Sequence, residues 1–185
     1  MRIIGGKYRG RKILYSESSP VRPTKDRVRE AVFNMISEWI PEARVLDLFA
    51  GSGAYGLEAI SRGAASVSFV EKDELCLDSI RGNVDVLGCP EQATIIFGDV
   101  FEKLEHIKTE HNLKGFDLIF ADPPFKQDMA KKTLLEVSNY DIVNRPGLLV
   151  IEHHVGESLQ GVVGDITLFK QKTYKDISIS IFTKK

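Results

Sequence analysis

The chain has 185 residues, 43% of them hydrophobic, which is room for one full core and little more. Its 25 basic and 26 acidic residues balance to a net charge of −1, which excludes both an acidic disordered chain and a histone-like polycation. No apolar run approaches the roughly 20 residues that cross a bilayer, residues 1–6 open no signal-like apolar stretch, and Cys76 and Cys89 form neither a metal spacing nor a disulfide framework, so the expectation is a cytoplasmic protein with inert thiols and no metal.

The balance conceals an asymmetry at the start of the chain. Residues 1–30 carry nine basic side chains (Arg2, Lys7, Arg9, Arg11, Lys12, Arg22, Lys25, Arg27 and Arg29) against three acids, a net of +6 that leaves −7 for the rest. A basic end on an acidic body predicts a polyanionic partner, although a solvated charged face gives the same pattern. Within it, residues 2–4 and 11–14 read as short strands joined through Gly5, Gly6 and Gly10, a small basic hairpin. A helix follows, with Val28, Val32, Met35, Ile36, Trp39 and Ile40 at helical spacing, Thr24 as a candidate N-cap, and an end before Pro41.

From residue 44 the pattern alternates. Apolar strand-like runs at 45–48, 67–70, 94–97, 117–120 and 148–151 enclose helical stretches near 54–62, 73–87, 100–111 and 128–139. Such alternation with right-handed crossovers predicts a parallel sheet covered by helices on both faces. The runs at 166–169 and 177–181 have no helix between them and predict an antiparallel hairpin. The expected fold is therefore α/β, a doubly wound, mostly parallel sheet of seven strands. Residues 1–40 form a basic extension and residues 41–185 one compact core.

Chemistry concentrates at the predicted strand ends. The first strand of the core runs into Asp47-Leu48-Phe49-Ala50-Gly51-Ser52-Gly53-Ala54-Tyr55-Gly56, where glycines let the backbone approach a ligand at the C-terminal edge of the sheet. Gly51, Gly53 and Gly56 satisfy G-x-G-x-x-G, which introduces NAD equally well. Asp47, inside the strand end, suits the amine of a cofactor with an amino-acid moiety better than a pyrophosphate. Glu71 ends the second strand and suits ribose hydroxyls, and Asp99 follows the third and suits an adenine amine.

Asp122-Pro123-Pro124-Phe125, at the end of the fourth strand, decides between these readings. An exocyclic amine on a base is a poor nucleophile because its lone pair is delocalised. If the Asp122 carboxylate and the Pro123 carbonyl both accept from that NH₂, the nitrogen is drawn towards tetrahedral geometry and its lone pair points at an electrophilic carbon. The prolines fix the backbone that carries these acceptors, and Phe125 offers a stacking face.

The segment 47–56 together with Asp122-Pro123-Pro124-Phe125 resembles class I S-adenosylmethionine-dependent methyltransferases of amino nitrogens. Residues 2–12 (Arg2-Ile3-Ile4-Gly5-Gly6-Lys7-Tyr8-Arg9-Gly10-Arg11-Lys12), residues 22–30 from Arg22-Pro23-Thr24 onward, and Leu46 to Gly53 are similar to the RsmD family, with the last third matching mainly in layout. That resemblance implies a Rossmann-like fold and methylation of guanine N2 in 16S rRNA, free or in an assembled or assembling small subunit, by a monomer. It implies S-adenosylmethionine held by Asp47, Phe49, Ala50, Gly51, Gly53, Glu71, Lys72, Asp99 and Val100, and the base held by Asp122, Pro123, Pro124 and Phe125. RNA would meet Arg2, Lys7, Arg9, Arg11, Lys12, Arg22, Lys25 and Arg27. Tyr55 departs from the aliphatic residue expected there and predicts altered helix packing or crowding at the methionine end of the cofactor.

Three other readings compete: adenine-N6 methylation of DNA with the same motif, an NAD-dependent oxidoreductase, and a non-catalytic RNA-binding factor with a relic pocket. His153 and His154 follow Glu152 at the fifth strand end. Neighbours on a strand point to opposite faces, so a shared metal is not expected. His106 and His111 read as surface positions and Trp39 as packing.

Overall fold

In the computed structural model of the chain, residues 1–15, 26–110, 115–125 and 128–185 are described. Thr24, Arg22, Lys25 and His111 lie outside them. The elements are α1 (Asp26–Met35), β1 (Arg44–Leu48), α2 (Ala54–Ser61), β2 (Ser66–Glu71), α3 (Glu74–Leu87), β3 (Ala93–Phe97), α4 (Val100–Glu110), β4 (Phe116–Ala121), α5 (Met129–Asn139), β5 (Val143–His154), β6 (Val162–Val163), β7 (Ile166–Tyr174) and β8 (Ile177–Lys184).

One sheet runs through the molecule in the order β3-β2-β1-β4-β5-β8-β7-β6. The first five strands are parallel, and β8, β7 and β6 are antiparallel. This is the expected doubly wound α/β sheet with eight strands instead of seven. The additional β6 is only two residues, Val162 and Val163, paired with the start of β7, too short to leave a periodic trace in the sequence. Strand alternation divides the core. Val45, Phe69, Phe120 and Val150 face α1, α2 and α3, while Leu46, Val70, Ile119 and Leu149 face α4 and α5.

The N-terminal extension departs from a regular hairpin. Its two arms share one antiparallel bridge, Arg2 with Lys12, flanked by Ile3 N–H to Arg11 C=O and Ile13 N–H to Met1 C=O, and the pairing goes no further because the next amides are taken by side chains elsewhere. Ile4 and Gly5 N–H donate to the two oxygens of Glu58 on α2, at 2.7 and 2.8 Å. Ser61 Oγ donates to Gly5 C=O and accepts from Tyr8 N–H, and Lys7 N–H donates to Ser61 C=O. Ile3 and Ile13 are buried in the same core as α1 and α2, so the extension shares the core of residues 41–185. The helix of this region ends at Met35, earlier than its apolar spacing predicts, and a 3₁₀ turn over Ser37–Trp39 carries Trp39 against the core. Cys76 and Cys89 are buried and not joined in a disulfide, and burial pushes the Cys89 thiol up, against a lowering from Lys7. Among the described residues no helix is long and apolar enough to cross a membrane.

Candidate active site

The loop between β1 and α2 turns through left-handed backbone at Phe49, Gly51 and Gly53. Two contacts pin it to the end of β2: Ala50 N–H donates to Val70 C=O at 3.0 Å, and Gly51 N–H donates to Glu71 Oε2 at 2.7 Å. Glu71 Oε1 also accepts from the Lys72 and Asp73 amides, at 2.8 and 2.9 Å. The capacity for ribose hydroxyls that the sequence predicts at Glu71 is therefore reduced. Three of about four acceptor positions are taken by backbone, and Oε2 keeps one for a hydroxyl.

Asp47 is buried and accepts from Gly56 N–H at 2.8 Å, which ties β1 to the first turn of α2. Burial raises its carboxyl to about 8, the Gly56 bond opposes the rise, and the charge of Glu71 adds to it. Asp99 sits at the start of α4, where its Oδ1 accepts from Phe101 N–H and its Oδ2 meets Lys72 Nζ at 3.0 Å. Partial burial would raise this carboxyl, but the bonds from Lys72 and Phe101 and the charges of Lys72 and Lys132 hold it below its ordinary value. Phe49 meets Phe101 edge-on, and Lys132 of α5 lies 3.8 Å above the Phe101 ring. Asp47, Phe49, Ala50, Gly51, Gly53, Glu71, Lys72, Asp99 and Val100 thus converge on the C-terminal edge of β1, β2 and β3.

Asp122-Pro123-Pro124-Phe125 leaves β4 at the same edge. Asp122 is half-buried, Pro123 buried, and Pro124 and Phe125 exposed. Beside Asp122 stands a buried tyrosine. The Tyr55 hydroxyl donates to Glu152 Oε2 at 3.0 Å, and its ring stacks on Phe120 at 4.9 Å and on Phe33 at 6.1 Å. Burial first, then the charges of Glu152 and Asp122, push the Tyr55 phenol well above its ordinary range, so it stays a neutral donor. Tyr55 therefore turns towards the end of β5, where it holds a carboxylate in place.

The histidines separate as strand alternation requires. His153 is buried and satisfied by Ser180 Oγ and the His154 carbonyl, a packing residue. His154 is exposed, its Nδ1 accepts from Gly156 N–H, and its ring meets Phe125 edge-on at 6.2 Å. His106 is exposed. In the basic extension Arg2, Lys7, Arg9, Arg11, Lys12 and Arg27 are all exposed. Among the described residues, Arg2 is the member of this set in an ion pair, with Asp26 at 3.5 Å, and Lys7 lies over the Tyr8 ring.

Sequence reading missed four polar residues. Glu58 and Arg29 are fully buried, with Glu58 also holding Arg62 at 2.7 Å and Arg29 donating to the Arg2 carbonyl and to Asp26. Asn83 accepts from Leu14 N–H and donates to the carbonyls of Leu14 and Ser52, joining the extension to the glycine loop. Glu152 is the fourth. Their signal is a polar residue at core spacing on a helix, or an acid one position beyond an apolar strand.

The whole chain has relatives. The family described as "Conserved hypothetical protein 95" matches residues 1–183. Ribosomal RNA small subunit methyltransferase D of Haemophilus influenzae is 34% identical over 98% of this chain and 93% of its own, and that of Escherichia coli is 33% identical over 100% and 90%. The solved structure of the Escherichia coli protein yhhF superposes with a TM-score of 0.86 at 31% identity, covering 100% of this chain and 98% of that one. With a sheet, a glycine loop and an Asp-Pro-Pro-Phe edge of this form, the chain belongs to the RsmD family of methyltransferases.

Proposed function

We propose that the protein transfers a methyl group from S-adenosylmethionine to the exocyclic N2 amine of a guanine in 16S rRNA of the small ribosomal subunit. The observation that carries this reading is the Asp122-Pro123-Pro124-Phe125 edge of β4 beside the glycine loop of β1, strands that pair directly. The names of the Haemophilus influenzae and Escherichia coli relatives support the RNA class.

The residues fit the donor. The loop 49–53 and Asp47 suit its amino-acid end, the remaining acceptor position of Glu71 Oε2 one ribose hydroxyl, and Asp99 with Val100 its adenine. When bound, the sulfonium supplies an electrophilic methyl carbon and departs as a neutral thioether. The protein's own part is to hold the nucleophile. The Asp122 carboxylate and Pro123 carbonyl accept from the two N–H bonds of the amine, so the nitrogen lone pair is localised. As the N–C bond forms, the amine becomes acidic and sheds its proton to Asp122 or to water. No strong base is needed. Phe125, exposed, stacks on a base taken out of its helix. Arg2, Lys7, Arg9, Arg11, Lys12 and Arg27, with Arg22 and Lys25 nearby in sequence, hold phosphates and position the RNA without reading it.

The test is transfer of labelled methyl to small subunits lacking the modification, beside naked 16S rRNA and duplex DNA. Label in guanine N2 is the expected result, and label confined to DNA would overturn it in favour of adenine. Asp122→Ala is expected to lower kcat by about 10²–10³-fold or more while S-adenosylhomocysteine affinity stays within about twofold. Unchanged turnover would remove Asp122 from the mechanism.

A further inference from the structure

β4 and β5 run parallel, and their last paired residues, Ala121 and Ile151, are in register. The residue after each is an acid, Asp122 just beyond β4 and Glu152 on β5, so two acidic side chains start from neighbouring backbones roughly 4.8 Å apart. Both belong to the sheet face covered by α1 and α2, since Phe120 and Val150 two residues earlier pack there. Tyr55 couples them. Its hydroxyl donates to Glu152, and both charges act on its phenol.

A buried carboxylate is costly to retain, and methyl transfer to Asp122-bound nitrogen gives Glu152 no task. The Watson–Crick edge of guanine supplies one. It presents two adjacent donors, N2–H₂ and N1–H, where adenine presents one amine beside an acceptor at N1. Two side-by-side carboxylates match the first edge and repel the second. We propose that Glu152 is the specificity-determining residue of the site, accepting from guanine N1–H while Asp122 and the Pro123 carbonyl accept from N2–H₂. A carboxylate offers about four acceptor positions, so Tyr55 orients Glu152 and the base shares it. The inference rests on the guanine-N2 reading and explains how that base is chosen over adenine.

The test uses 2-aminopurine, which keeps the N2 amine but carries an acceptor at N1. Small subunits are reconstituted with guanine or 2-aminopurine at the mapped methylated position, and kcat/KM is measured for each. The unmodified enzyme is expected to prefer guanine by on the order of 10²-fold or more, because N1 of the analogue sets an acceptor against the Glu152 carboxylate where guanine offers a donor. In Glu152→Gln, whose amide can donate to that N1, the preference is expected to fall to within about tenfold, with guanine turnover reduced. Tyr55→Phe, which loosens Glu152 without changing its charge, is expected to raise KM for guanine subunits while retaining a preference for guanine. A preference unchanged in Glu152→Gln, at any absolute rate, overturns the assignment. Absence of any label in guanine N2 with the unmodified enzyme overturns the underlying reading as well, and the two failures are read separately.

Discussion

Asp47 carries a consequence for stability. Its carboxyl lies at about 8 in the folded protein against 3.8 for the exposed group, because burial penalises the charge more than the Gly56 amide rewards it. The native state therefore binds a proton that the unfolded chain releases. Stability from this group is full below pH ~3.8 and is lost as pH rises through ~8. Asp47→Asn keeps an acceptor for Gly56 N–H and removes the titration. The variant is expected to lose less stability than the parent between about pH 6 and 9 in urea unfolding monitored by circular dichroism. Parallel declines would show that Asp47 is not the titrating group. Glu152 follows the same logic at residue scale: an acid inside a core keeps its place through a neutral donor, Tyr55, that burial prevents from ionising.

At the scale of elements, α2 joins the sheet to the N-terminal extension, and its glycine and its acid act on different neighbours. Gly56 lies in the first turn, where a Cβ would come within 2.3 Å of the Phe69 ring and 2.7 Å of Val67. Alanine ordinarily gains about 1 kcal/mol over glycine in a helix. Here overpacking against two buried β2 side chains wins, and Gly56→Ala is expected to be destabilising by about 1–3 kcal/mol, read as a lower urea midpoint at unchanged slope. An increase in midpoint would mean that α2 can move off β2. Glu58, which belongs to no catalytic motif, holds the Ile4 and Gly5 amides and Arg62, with buried Arg29 at 3.9 Å. Its removal takes one of two carboxylates from a buried guanidinium that keeps Asp26, and leaves the Ile4 and Gly5 amides without their acceptor. Glu58→Ala is expected to cost about 3–5 kcal/mol, roughly a 10 °C fall in Tm, and to expose the N-terminal extension to trypsin before the core unfolds. A protected extension would show that apolar contacts of Ile3 and Ile13 suffice to hold it.

For the whole molecule, charge is divided between its two parts: the basic extension lies on α2 and α3, and acids gather at the strand ends. Under the proposed reading, polyanion attraction and base selection are thereby separated in space. Replacing Arg9, Arg11 and Lys12 with alanine is expected to weaken RNA binding about equally across sequences and to lower the salt slope by up to about three, one for each phosphate that is no longer neutralised. Affinity for S-adenosylhomocysteine is expected to stay unchanged in the same protein, measured by calorimetry. An unaltered salt slope would assign these side chains to a solvated surface.

How much of this was legible in the sequence differs by kind of information. Local spacing located the helices after residue 44 to within a residue or two: 54–62 against Ala54–Ser61, 73–87 against Glu74–Leu87, 128–139 against Met129–Asn139. It also put the glycine loop and Asp-Pro-Pro-Phe at strand ends, since alternating βαβ units leave no other position for them. Periodicity failed where it had too few residues to act on, in β6, or where side chains from afar claimed the backbone, in the extension held by Glu58.

The sequence by itself determined the element order, the parallel sheet and the residue types at its C-terminal edge, because burial patterns and turn chemistry are written in short windows. Only the tertiary structure decided what those residues touch. Asp47 turns to Gly56, Glu71 gives most of its acceptor positions to backbone, and Glu152 comes to stand beside Asp122 through the register of β4 and β5. Hydrogen bonds and electrostatic fields depend on distances of a few ångströms between residues up to 97 positions apart, as Tyr55 and Glu152 are. No local window of sequence contains that separation.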